Sequence, residues 1–195
     1  MLNALVSLAI RTLQEPRAVA SEIIAMRLER QMLWIALALA VVLNTIVYQI
    51  SLVASPPTLT LPTLFSSPIL FAFLVGSGLI LSIFSLTYAG RILGGKATLE
   101  HIMSLLIWLQ YLRFVVQLVA LVLMPIIPGL TGILVFAASL YGVWLMIQFI
   151  DVGHGFNSLL TSIGALGLSW LMIMIGMAIL LTLVGIQNMG LTPYV

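Results

Sequence analysis

The chain contains no cysteine. That excludes disulfides, thiolate metal ligands, a thiol nucleophile and S-acylation, and it leaves the redox compartment unreadable. Charge is also scarce. Only 6% of the 195 residues are Asp, Glu, Lys or Arg, where a soluble domain carries about 25%. The two histidines are too few, and too badly spaced, for the HExxH arrangement of a zinc hydrolase. A net charge of +2, without a basic patch interleaved with aromatics, gives no nucleic-acid footprint. No GxSxG elbow occurs. Gly90-Arg91-Ile92-Leu93-Gly94-Gly95-Lys96-Ala97 comes close to a phosphate-binding loop, but Ala97 stands where Ser or Thr is needed and no strand precedes it. The expectation is a protein without catalytic residues, metal or cofactor.

What the chain has in abundance is apolar length: 63% of its residues are hydrophobic, and they come in long runs. Runs of about 20 apolar residues are long enough to cross a bilayer core of about 30 Å. Five such runs are expected at 32–53, 68–92, 99–124, 130–150 and 157–186. The fold class is therefore an all-α integral membrane helical bundle with five transmembrane helices, 32–187, preceded by a short N-terminal amphipathic helix. In residues 1–14, Leu2, Leu5, Val6, Ala9 and Leu13 fall on one helical face, suited to lying in the membrane plane. Pro16 suits the first turn of a second helix. The charged mixture at 17–31 belongs at the headgroups, so 1–31 forms one interfacial segment. Ala18-Val19-Ala20 has the form of a signal-peptidase site, but the charged residues before it argue against a cleaved leader.

The connections are short. An uncharged, Pro-rich loop is expected at 54–67. A Gly94-Gly95-Lys96 turn leads to Thr98 as N-cap, Pro125–Pro128 turns the chain again, and Asp151–Gly155 turns it back. Residues 188–195 form a short tail. Eleven of the twelve charged side chains then lie on one side of a five-span arrangement. The positive-inside rule makes that side cytoplasmic and puts the C-terminus outside, as in a bacterial inner membrane.

Arg113 is the exception, near the middle of the third span. Gln110 and Gln117, three residues before it and four after, share its helical stripe. A central Arg facing lipid costs about 2.5–3.5 kcal/mol on insertion scales. The stripe is therefore expected to face the bundle interior, with Asn44 and Gln49 of the first span and Ser162 or Ser169 of the fifth as neighbours. It serves either as polar glue between helices or as a contact for a ligand or lipid. Small residues mark expected helix-packing faces: Ala72 with Gly76, Gly78 with Ser82, Ala138 with Gly142, and Ser158 with Ser162. His101, His154, Glu100 and Asp151 are expected as polar residues at the membrane edge.

Four local features resemble the bacterial branch of the Yip domain family, the Ypt/Rab-interacting membrane proteins. They are Glu15-Pro16-Arg17 before the first span, Gly94-Gly95-Lys96-Ala97-Thr98, the Pro125–Pro128 turn, and Gly153-His154-Gly155 before the last span. The resemblance covers most of 15–187. It implies five spans and a cytosolic N-terminus. Eukaryotic members act in membrane trafficking, binding Rab GTPases and one another, but the roughly 30 residues before the first span here leave no room for an extended partner-binding domain. The functional expectation is a non-enzymatic scaffold, assembly or membrane-organisation factor. Its partners would be membrane lipids, other integral membrane proteins, or further copies of itself in a homo-oligomer. The alternative is a small transporter or channel lined by Gln110, Arg113 and Gln117.

Overall fold

The computed structural model describes residues 2–54 and 63–184, and every regular element among them is helical. The helices are α1 (Leu2–Gln14), α2 (Pro16–Ala25), α3 (Arg30–Ala54), α4 (Thr63–Ser66), α5 (Pro68–Ile92), α6 (Leu99–Leu123), α7 (Pro128–His154) and α8 (Leu159–Val184). Of the loop expected at 54–67, residues 55–62 lie outside the described residues, and so does the expected tail at 188–195. Thr63–Ser66, placed in that loop from sequence, forms a single helical turn.

Proline and glycine set the boundaries. Pro16, Pro68 and Pro128 occupy the first turns of α2, α5 and α7, where a missing N–H costs nothing. At the other ends, Gly94 (φ +87°) and Gly155 (φ +69°) take left-handed conformations. Each lets the chain fold back onto the last helical carbonyls: Gly95 N–H donates to Gly90 O at 2.8 Å, and Phe156 N–H to Asp151 O at 3.1 Å. Thr98 caps α6, its hydroxyl accepting from His101 N–H at 3.3 Å. The fourth span differs from expectation at its end. Asp151–His154 is the final turn of α7 and the connection begins only at Gly155, because the left-handed glycine, not the acid, stops the helix.

Five helices are apolar and long enough to span a membrane: Arg30–Val53, Pro68–Ile92, Leu99–Leu123, Pro128–His154 and Leu159–Leu183. At about 1.5 Å per residue even the shortest reaches about 36 Å, more than the hydrocarbon core requires. They form a closed circuit: α3 packs on α5 and α6, α6 on α7, α7 on α8, and α8 returns to α5. The α1–α2 pair lies outside this circuit, with α2 against α6 and α7.

The core is not centred in the bundle. Its buried residues crowd toward the end that carries the 93–98 and 155–158 connections, here termed the charged end. Ile83, Leu86 and Ala89 of α5 meet Ile102, Met103 and Leu106 of α6, Ile150 of α7 and Ala165 of α8 there. On α6, residues 102–107 are all buried and none after Ile107 is. Toward the opposite end, α6 exposes Val115, Leu118, Val119 and Val122, and α7 exposes Ile133, Phe136 and Leu140. These side chains contact hydrocarbon, which rewards packing but supplies no hydrophobic drive for helix association.

Candidate functional site

Two polar groupings stand out from this apolar framework: a clasp at the charged end and the stripe on α6.

The clasp centres on Asp151, in the last turn of α7. Its side chain is 0% exposed; Oδ1 accepts hydrogen bonds, while Oδ2 has an ion-pair contact but no hydrogen bond among the described residues. Oδ2 pairs with Arg17 Nη2 of α2 at 2.6 Å. Oδ1 accepts from the Ser158 backbone N–H at 2.9 Å and from Ser162 Oγ at 3.3 Å. Ser158 in turn caps α8, its hydroxyl accepting from Thr161 N–H at 3.4 Å. The carboxylate therefore sits at the amino end of α8, where unsatisfied N–H groups and the helix dipole favour negative charge. One side chain joins α7, α8 and α2. A buried charge would be costly alone; here a half-exposed guanidinium and two further donors meet it.

One turn on, His154 locks α7 to α5. Its Nε2 donates to the Leu86 carbonyl at 3.2 Å, and its ring stacks on Phe156 with centroids 5.0 Å apart. Its own carbonyl accepts from Lys96 N–H at 3.0 Å. The imidazole fills a slot walled by Gly90 and Gly95, and a Cβ on either glycine would overlap the ring. Arg91 Nε braces the same connection by donating to Ala97 O at 3.2 Å. His101 sits in the first turn of α6, half-buried, with its backbone N–H committed to Thr98. Asp151 and His154 thus have separate structural partners, and among the described residues no group of three acids and histidines is arranged to hold a metal ion.

The clasp also fixes the chain's beginning. Val19, Ala20 and Ile23 of α2 are buried against Leu105 and Phe149. From α1, Thr12 Oγ1 accepts from Trp108 Nε1 at 3.0 Å, and the Leu13 carbonyl accepts from Tyr141 Oη at 2.6 Å. An Arg11–Glu22 ion pair of 3.0 Å ties α1 to α2. Leu5, Val6, Ile10 and Leu13 remain more than half exposed, leaving an apolar face on the docked helix.

The α6 stripe differs from expectation in its environment. Arg113 follows Leu106 by seven residues and Ile102 by eleven, so it continues the core-facing side of α6. It is nevertheless exposed, because the bundle does not close over α6 beyond Ile107. Arg113 itself therefore lacks the buried environment expected of the stripe. Of the expected neighbours, three are engaged within their own helices or in the clasp: Asn44 Nδ2 donates to Ala40 O at 2.7 Å, Ser169 Oγ to Ala165 O at 2.6 Å, and Ser162 to Asp151, whereas Gln49 Nε2 is buried and unpartnered among the described residues. Arg113 makes no hydrogen bond or ion pair among the described residues. Gln110 and Gln117 are half-buried, and each has an amide oxygen that is buried and unpartnered among those residues, as have Asn44 and Gln148.

Of the small-residue positions singled out from sequence, Gly76 faces α3 at ordinary van der Waals distance: a Cβ placed on it would lie 3.7 Å from Val41 Cγ1. Gly78 and Gly142 face nothing within 4 Å among the described residues. Ser82 bonds back to Gly78 O on its own helix at 2.7 Å, and Ala138 is half-buried. Ser158 and Ser162 matter as donors to Asp151 more than as small surfaces. The close approaches instead involve Gly90 and Gly95 with His154, Gly153 with Ile102 and Leu105, and Gly176 with Leu81. Sequence reasoning misses the Arg17–Asp151 pair and the His154 slot. The available signal is the spacing of Gly90 and Gly95, five residues apart at the end of α5, together with the Gly153-His154-Gly155 turn.

Asp151→Ala removes the shared acceptor and should destabilise the protein by about 3 kcal/mol, as when one partner of a buried ion pair is lost. Hydrogen exchange should then accelerate through 16–25 while the 102–107 stretch stays protected; unchanged exchange in α2 would refute the clasp. Gly90→Ala should lower the unfolding temperature in detergent, with an overpacking cost of about 1–3 kcal/mol. Adding His154→Ala to that variant should cost less than the sum of the two single changes, and strict additivity would show that ring and glycine are not in contact.

A family model described as the Yip1 domain matches residues 10–181. Neither curated proteins nor solved structures give a match. The matched region takes in the Pro16 helix start, both glycine turns, the Asp151 clasp and nearly all of the five spans. The chain is an integral membrane protein that belongs to the Yip1 domain family.

Proposed function

We propose that the protein is a non-enzymatic membrane scaffold or assembly factor that binds other integral membrane proteins or lipids. The observation carrying this reading is the division of labour among its side chains. The groups with chemical potential at the charged end, Asp151, His154 and Arg17, are spent on joining helices. The surfaces left available, the face of α1 and the unpacked half of the bundle, are apolar apart from Arg113. Such surfaces suit lateral association within the membrane and give a substrate little to react with. Purification of the full-length protein in mild detergent should return a stoichiometric membrane-protein partner or a homo-oligomer. A strictly monomeric protein without partners would defeat the proposal.

In the same reading the charged end is cytoplasmic, with Arg11, Arg17, Arg27, Arg30, Arg91 and Lys96 obeying the positive-inside rule. The N-terminus is then cytoplasmic and the far end of α8 outside, as in a bacterial inner membrane. The absence of cysteine makes this easy to check. In intact cells, Ile126→Cys should react with a membrane-impermeant maleimide, and Lys96→Cys should react only after lysis. The reverse pattern would invert the topology.

A further inference from the structure

We propose that Arg113 is the docking point for a transmembrane helix of a different protein, one carrying an Asp or Glu near its midpoint. The inference deepens the scaffold reading and rests on it.

Arg113 lies fourteen residues from the start of α6 and ten from its end. At 1.5 Å per residue that is about 21 Å and about 15 Å. Either headgroup layer is beyond comfortable snorkelling reach from this depth, so lipid phosphate does not readily neutralise it. The side chain is exposed and has no hydrogen-bonding or ionic partner among the described residues. Facing hydrocarbon, such a group is penalised strongly enough that intramembrane cations ordinarily meet a countercharge.

This chain cannot supply that countercharge to a second copy of itself. Its five acids are Glu15, Glu22, Glu29, Glu100 and Asp151. All lie in α1–α2 and their connections or at the charged end of α6 and α7, and Glu22 and Asp151 already have basic partners. A copy inserted in the same orientation would present these acids at the charged end, about 20 Å from Arg113 at helical rise. The complementary carboxylate therefore belongs to another protein.

The surroundings fit a helix. Arg113 continues the stripe on which Ile102 and Leu106 pack, so an added helix would extend the existing core toward the open end. On the same side of α6 as Arg113, Leu109, Val116 and Ala120 are half-buried and supply apolar surface for an added helix. Gln110 and Gln117 set side-chain amides one turn to either side, and with the guanidinium they make a donor-rich patch suited to a carboxylate.

The test uses the full-length protein in lipid nanodiscs, labelled through Lys96→Cys. The probe is a Leu/Ala transmembrane peptide of about 23 residues. It is made with Glu at its centre, with Gln at its centre, or with Glu near one end. Energy transfer at neutral pH should show the central-Glu peptide associating about tenfold more tightly than the other two, the gain expected of a desolvated charge-assisted pair. Arg113→Gln should abolish the preference and Arg113→Lys should keep part of it. Equal binding of the three peptides by the native arginine overturns the proposal without recourse to any variant. Failure of this inference is also separable from failure of the scaffold reading. If partners co-purify equally well with native protein and with Arg113→Gln, the docking site is wrong and the scaffold stands. If the native protein has no partner at all, both fall.

Discussion

A single buried carboxylate governs how this bundle is assembled. Asp151 is inaccessible to solvent, at the end of an apolar helix, and its charge is tolerable only while Arg17, the amino end of α8 and Ser162 surround it. Those partners come from widely separated parts of the chain. Satisfying the carboxylate fixes the α7–α8 connection, the start of α8 and the position of α2 together. His154, three residues on, adds a steric lock whose fit depends on Gly90 near the end of α5 and Gly95 in the connection that follows it. Hydrocarbon gives helices no strong reason to prefer one neighbour over another, so polar and steric devices of this kind carry much of the specificity.

The uneven packing follows from the same arrangement. The clasp, the two glycine turns and the α1–α2 pair all lie at one end, and the buried core is there too. Beyond Ile107 the helices lose these cross-links. Tyr48 and Phe71 still stack, with centroids 3.8 Å apart, to hold α3 to α5, but α6 and α7 expose broad apolar faces. The protein is cross-linked where its connections are charged and open where they are not. The chain belongs to the Yip1 domain family, and its bundle divides into a cross-linked end and an open one.

Much of this is legible in the sequence. Five apolar runs, prolines at helix starts, glycines at helix ends and the Thr98 cap mark out the helices nearly as observed, because each rests on local chemistry. The end of the fourth span comes out a turn too early from sequence, since Asp151 reads as a loop residue until the left-handed Gly155 is taken into account. The long-range partners are not legible. Nothing in the local sequence around Arg17 says that it will meet a carboxylate 134 residues later. The stripe of Gln110, Arg113 and Gln117 does lie on the side of its helix that periodicity indicates, but periodicity reports direction and not depth of cover. Whether neighbouring helices close over a stripe depends on their tilt, which hydropathy does not encode.

The distance along the chain between Arg17 and Asp151 has a consequence for biogenesis. At about 5–20 residues per second, ribosomes need on the order of ten seconds to pass from one to the other. Throughout that interval α2 has neither its counterion nor the α7 surface on which it packs, and α8 must follow before the carboxylate is fully coordinated. Helix α2 is thus made well before it can be fastened. Docking of α2 therefore awaits the fourth span, and full coordination of Asp151 awaits the start of the fifth.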